Sequence, residues 1–324
     1  MPLFSLAELE DAARLIRPVV PPTPHYAWPL LAARTGCEVW VKHENHTPIG
    51  AFKIRGGLTF LDGLMREEPG LEGVVTATRG NHGQSIALAA ARLGLNAVIV
   101  VPEGNSVEKN AAMRGFGAEL IIAGRDFDES RGHAARIAEE RGYRMVPPYH
   151  PDLVKGVATY AHEFLTAEPD LDVAYVPIGM GSGICGMITV RDLLGLKTEI
   201  IGVVAENAPA VARSFEAGRV LPGNSAATFA DGMACRDPDP QAFAIMQKGA
   251  ARIVTVSEDE IAAAIRALYA DTHNIAEGAA AAPLAALMKE GVAMRGKRVG
   301  LIMSGGNIDT PVLARVLTGA TPQV

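Results

Sequence analysis

Four short stretches of this sequence set reactive or polar side chains among glycines, and each suggests a particular chemistry. Lys53 lies in Ala51-Phe52-Lys53-Ile54-Arg55-Gly56-Gly57, between Phe52 and Ile54. Apolar neighbours desolvate an amine, lower its pKa and leave the free base ready to form an imine. The same pattern also describes a surface lysine at the start of a helix. In Ala77-Thr78-Arg79-Gly80-Asn81-His82-Gly83-Gln84, Asn81 stands three residues before Gln84, the spacing of a capping box. Asn81 is therefore expected to cap a helix running to about Leu93, whose outward amides would attract an anion. Capping alone is the simpler reading.

The third stretch is Gly179-Met180-Gly181-Ser182-Gly183-Ile184-Cys185-Gly186. Alternate glycines let several backbone amides converge on a phosphate, and the Ser182 hydroxyl adds a donor. Gly181, Gly183 and Gly186 also satisfy GxGxxG, and Glu206 lies twenty residues further on, where a ribose-binding acid would sit. Alone, this loop fits NAD as well as any other phosphate ligand. The fourth, Ser304-Gly305-Gly306-Asn307, follows an apolar run, and its serine hydroxyl is a neutral partner suited to a ring nitrogen. An ordinary strand-to-helix turn would look the same.

Such turns are useful only if something holds them together, and open α/β sheets do so at the carboxyl ends of their strands. Strand candidates are Val39–Val41, Gly73–Ala77, Ala97–Val101, Leu120–Ala123, Val173–Ile178, Ile200–Val204 and Arg298–Met303, with helical patterns between them. Alternation of this kind marks parallel βαβ units and an α/β class. Gly278 to Ala282 reads as part of an alanine-rich helix that Pro283 interrupts. The run Met145-Val146-Pro147-Pro148-Tyr149-His150-Pro151 cannot continue a helix or a central strand, and a domain boundary is placed there.

The 324 residues, 48% hydrophobic and 20% charged, suffice for two domains with a sizeable core. A net charge of −6 with both signs interspersed leaves no basic stripe for nucleic acid. No signal peptide and no membrane span are read in the chain. Cys37, Cys185 and Cys235 are isolated, which fits small apolar filler in a reducing cytoplasm better than a disulfide framework or a zinc site.

Taken together, in this order, the four turns resemble the fold type II pyridoxal phosphate enzymes, particularly their threonine and serine dehydratase branch. The resemblance runs from Thr23-Pro24 to about Asp309. Ala51 to Gly56 resembles SFKxRG, which implies that Lys53 is the Schiff-base lysine and that Phe52 lies against the cofactor. Gly80 to Gln84 resembles GNHxQ, implying Asn81 on the ring hydroxyl and the amides of Thr78, Arg79, Gly80, Asn81 and His82 on the substrate carboxylate. His82 favours the dehydratase and racemase branch over the cysteine synthases. The third turn is nearer to GxGTGG of the cysteine synthases than to the four glycines of the dehydratases, and either version implies a phosphate site at Gly179, Met180, Gly181, Ser182 and Gly183. Ser304 to Asn307 resembles SGGN, whose serine faces the pyridine nitrogen.

The resemblance implies an α/β architecture of twisted, mostly parallel sheets covered by helices. Residues 1–70 and 147–324 would form a large cofactor-binding domain and 71–146 a small domain with the substrate loop. A cytoplasmic homodimer or larger homo-oligomer is expected, with an amino acid as substrate. The implied reaction removes water from a β-hydroxy-α-amino acid of the threonine or serine type and yields a 2-oxo acid and ammonia. Lys53 would hold the cofactor and take the α-proton, and the cofactor phosphate would protonate the leaving hydroxyl.

Two departures shape the alternatives. Arg79 stands where the family carries serine or alanine, so racemisation through a second base is disfavoured, and a bidentate partner for a second carboxylate appears. Ala212 replaces an aspartate of the divalent-cation site to which Glu206 and the Ala210 carbonyl would belong, so no tightly bound metal is expected. A resemblance to the short catabolic dehydratases is expected, with no regulatory domain after residue 324. The competing readings are a dehydratase for 3-hydroxyaspartate or phenylserine, a racemase or β-replacement enzyme of the same fold, an NAD enzyme, and a non-catalytic ligand-binding protein.

Overall fold

The computed structural model describes residues 2–323. Ten strands follow one another along the chain: β1 His25–Ala27, β2 Glu38–His43, β3 Gly73–Ala77, β4 Asn96–Val101, β5 Glu119–Ile122, β6 Arg144–Met145, β7 Val173–Pro177, β8 Glu199–Ala205, β9 Ala250–Val256 and β10 Arg298–Met303. They form two sheets. One has the order β1-β2-β10-β7-β8-β9 and the other β5-β4-β3-β6. All pairings are parallel except β1 with β2, which is antiparallel. Strands β3, β4, β7 and β10 are buried along nearly their whole length and are mostly apolar, as parallel sheets covered on both faces require.

All seven expected strands are present, each within a residue or two. Three others escaped the sequence. His25-Tyr26-Ala27 lies among prolines 21, 22, 24 and 29, and β6 has only two residues before a proline run. The third, β9, is a half-exposed edge strand that carries Arg252 and so lacks a continuous apolar run. Pro283 does not interrupt its helix, which runs unbroken from Gly278 to Glu290. Residues 278–287 of that helix are buried, and packing of this small-residue segment in the core outweighs one lost backbone hydrogen bond. Pro151 starts the helix Pro151–Ala167 at a position where its missing N–H costs nothing. Among the described residues, no helix is long and apolar enough to cross a membrane.

The helix Lys53–Glu67 joins the layers. Gly57 lets it approach the helix Asn81–Leu93 so closely that a Cβ there would lie 2.2 Å from Ser85 Oγ, while a Cβ on Gly56 would lie 2.7 Å from the Leu153 carbonyl. Arg55, in the first turn, is fully buried. Its Nε and Nη2 donate to the two oxygens of Glu44 at 2.8 and 3.0 Å, and its Nη1 donates to Glu163 Oε1 at 2.7 Å and to Thr159 Oγ1 at 3.0 Å. Lys42, equally buried, completes the cluster by donating to Glu163 Oε2 at 2.6 Å and to the Thr23 carbonyl at 2.8 Å. Each buried charge therefore faces an opposite one.

Removing one member of such a cluster leaves its partners charged and desolvated. Arg55→Ala is expected to lower the unfolding free energy by about 3–5 kcal/mol, measured by urea denaturation. A loss below about 1 kcal/mol would show that the network does not hold the helix in place.

Candidate active site

The carboxyl ends of β2, β3, β7 and β10 open on a cavity of about 540 Å³ between the two sheets. The residues that the resemblance assigns to cofactor and substrate line it: Phe52 and Lys53, Thr78 to His82, Gly179 to Gly183, and Ser304. Glu206, weighed above as a ribose ligand, does not. Among the described residues, no cluster of metal-ligating side chains occurs.

Lys53 is the first residue of its helix, and both sides of its backbone are pinned. The Phe52 amide donates to the Ser304 carbonyl at 3.0 Å, next to an antiparallel bridge between Ala51 and Gly305. Ser85 Oγ donates to the Lys53 carbonyl at 2.7 Å. The side chain points across the cavity, with Nζ 5.0 Å from the Phe52 ring centroid and donating to Ser182 Oγ at 2.9 Å. Burial pushes the amine down to about 8, against the opposing effect of the Glu277 charge. A useful fraction is therefore free base near neutral pH.

The glycine loop ends in a helix N-terminus. Gly181, at φ 97°, turns the chain into the helix Ser182–Leu193, whose first amides have no acceptor within the helix. Side chains would obstruct this loop, since a Cβ on Gly179 would lie 2.3 Å from the Gly232 carbonyl. Tyr160 donates its hydroxyl to the Gly183 carbonyl at 3.0 Å and fixes the loop from beneath. Backbone donors left without acceptors at a helix start suit a phosphate.

Asn81 differs from expectation. The capping position belongs to Gly80, no side chain caps this helix, and Asn81 is its first residue. The amide is committed elsewhere: Nδ2 donates to both Glu277 oxygens at 2.8 and 3.0 Å, and Oδ1 accepts from Asn307 Nδ2 at 2.8 Å. A buried carboxylate competes for the amide more strongly than a local backbone N–H does. His82 beside it has Nε2 buried without a hydrogen-bond partner. Burial, with the Lys53 charge nearby, pushes this imidazole down to about 3, so it is neutral. An unpaired buried nitrogen lining a cavity is a place for a ligand atom.

Arg79 is exposed at the cavity and makes no ion pair among the described residues, so it does not join the sheets by pairing with an acid. That part is played by Lys109, which donates to Asp231 Oδ2 at 2.5 Å and lies 3.7 Å from Glu277 Oε2. Sequence reasoning missed Lys109, Asp231 and Glu277. Only Glu277 left a signal, as an acid placed directly before a buried glycine and alanine helix.

A family model described as pyridoxal-phosphate dependent enzyme matches residues 16–305. Among curated proteins, the L-threonine ammonia-lyase of Thermotoga maritima is 35% identical over 316 residues, covering 97% of this chain and 78% of the relative. The biosynthetic L-threonine dehydratase of Escherichia coli is 34% identical over 291 residues, and there the chain spans 56% of the relative's length. The processed threonine deaminase isoform 2 of Solanum lycopersicum superimposes with a TM-score of 0.87 at 31% identity, covering 98% of this chain and 96% of that one. The cavity, its lysine and its glycine loop thus stand where the match lies, and the chain belongs to the pyridoxal-phosphate dependent enzymes.

Proposed function

We propose that this protein is an ammonia-lyase that removes water from a β-hydroxy-α-amino acid of the threonine or serine type and yields a 2-oxo acid and ammonia. The observation that carries the reading is the contact between Lys53 Nζ and Ser182 Oγ, at 2.9 Å, which puts a depressed amine directly beside a phosphate-sized nest of amides. The residues present fit pyridoxal phosphate. Gly179, Met180, Gly181, Ser182 and Gly183 would hold its phosphate, Phe52 would flank the ring, and Ser304, buried at the end of β10, would meet the ring nitrogen. Bound through Lys53, the cofactor supplies a sink for the electrons left behind when the α-proton departs.

The chain's own groups divide the remaining work. Lys53 Nζ would be the group that takes the α-proton. The Ser304 hydroxyl would be a neutral partner for a ring nitrogen and would add no charge to keep that nitrogen protonated. The amides of Thr78 to His82 hold the substrate carboxylate at the start of the helix Asn81–Leu93. A guanidinium does not accept a proton at neutral pH, so Arg79 offers no second base and racemisation has no partner at that turn. We further infer a homodimer or larger assembly in the cytoplasm, where three free, buried cysteines would stay reduced.

Lys53→Ala should leave less than about a hundredth of the ammonia release from serine or threonine, because one residue both carries the cofactor and moves the proton. Mapping a borohydride-fixed cofactor to another lysine would overturn the assignment. A second outcome concerns pH. Below about 8 the free Lys53 amine is protonated and cannot attack an aldehyde, so the rate at which apoenzyme takes up pyridoxal phosphate should rise with pH to a midpoint near 8. Glu277→Gln removes a charge that favours the protonated amine, so its midpoint should move to lower pH. A midpoint that stays put or rises would show that Glu277 does not act on Lys53.

A further inference from the structure

Among the described residues, each carboxylate lining the cavity has a partner. Asp231 and Glu277 face Lys109, Asp237 Oδ2 lies 3.6 Å from Arg236 Nε, and Asp126 accepts from the Glu129 amide at 2.9 Å as the cap of the helix Phe127–Arg141. Apart from Lys53, which donates to Ser182 Oγ, two cations are left over. Arg79 and Arg131 line the same cavity, both are exposed, and neither makes a hydrogen bond or ion pair with a described residue. Arg79 leaves the end of β3, and Arg131 stands near the start of the helix Phe127–Arg141, which packs on β3 and β4. Both guanidinia therefore belong to the four-stranded layer, on the side that holds the turn Thr78 to His82.

We propose that Arg79 and Arg131 recognise an anionic group on the substrate's side chain, so that the preferred substrate is a β-hydroxy amino acid with a second carboxylate. The inference rests on the elimination reaction proposed above and names the substrate class for that site. One carboxylate, the one on Cα, is already served by the turn amides and the helix start. Two further guanidinia without counter-charges exceed what that group needs, and the methyl of threonine offers them nothing. A guanidinium pairs with a carboxylate through two parallel hydrogen bonds, a geometry that selects planar anions. An aryl side chain could stack on one guanidinium but would leave both charges unmatched. The reaction stays balanced without an oxidant: the α-proton and the β-hydroxyl leave as water, water is regained as the amino group departs as ammonia, and a 2-oxo dicarboxylic acid remains.

The test gives the holoenzyme threonine, threo-3-hydroxyaspartate and phenylserine, measuring ammonia, and compares succinate with butyrate as unreactive ligands by calorimetry. The expected result is a kcat/KM for 3-hydroxyaspartate at least about tenfold above the other two, and succinate binding at least about tenfold tighter than butyrate. R79S and R131S should each lower the ratio of kcat/KM for 3-hydroxyaspartate to that for threonine by about tenfold or more, with R79K recovering part of the loss. Preference for threonine, with succinate bound no better than butyrate, would overturn the arginine site and leave elimination standing. Ammonia from none of the three would overturn elimination, and the site would then be decided by the succinate comparison alone.

Discussion

A guanidinium sealed from solvent between two carboxylates fixes the geometry on which the rest of this molecule depends. Arg55 stands two positions after Lys53 in the same helical turn, and its hydrogen bonds tie that turn to Glu44, just past β2, and to Thr159 and Glu163 on the helix Pro151–Ala167. A surface pair would give little rigidity, because screening and side-chain entropy offset its attraction. Here the alternative to pairing is a bare charge in a dry interior, so departures from this arrangement are costly. The lysine inherits that precision without touching the cluster.

The cavity applies the same rule with different arithmetic. Around Lys109, Asp231, Glu277 and Asn81, charges from the two sheets are matched across the gap, and the carboxyl of Glu277 is pushed up by burial although Lys109 opposes the shift. Asn81 is oriented by that carboxylate and by Asn307 before any ligand arrives. Polar groups fixed in advance need no rearrangement during a reaction, and this is where a protein scaffold differs most from water. Matched charges close the cavity floor, while its rim keeps unmatched arginines.

Much of this was legible in the sequence, for reasons that differ by residue. The glycine loop and Ser304 are readable because they sit immediately after apolar runs, where parallel sheets expose their ends, and Lys53 because it lies between the apolar Phe52 and Ile54. The capping reading of Asn81 fails because capping-box spacing is local information and the carboxylate that wins the amide is 196 residues away. Lys109 and Asp231 are separated by 122 residues, and no periodicity reports such a pairing. The edge strand β9 and the two-residue β6 fell below any pattern. Pro283 misled because local propensity was read without the packing that overrides it.

The antiparallel bridge between Ala51 and Gly305, and the bond from Asn307 Nδ2 to the Ile49 carbonyl, 258 residues away, have a consequence for how the protein is made. The segment that positions Lys53 leaves the ribosome early, but the strand end that clamps it follows only after every other strand has been synthesised. Loops of that length close slowly, so helices and the compact four-stranded layer are expected to form before the cofactor pocket. A nascent chain thus carries its reactive amine through most of synthesis without the surroundings that make it reactive.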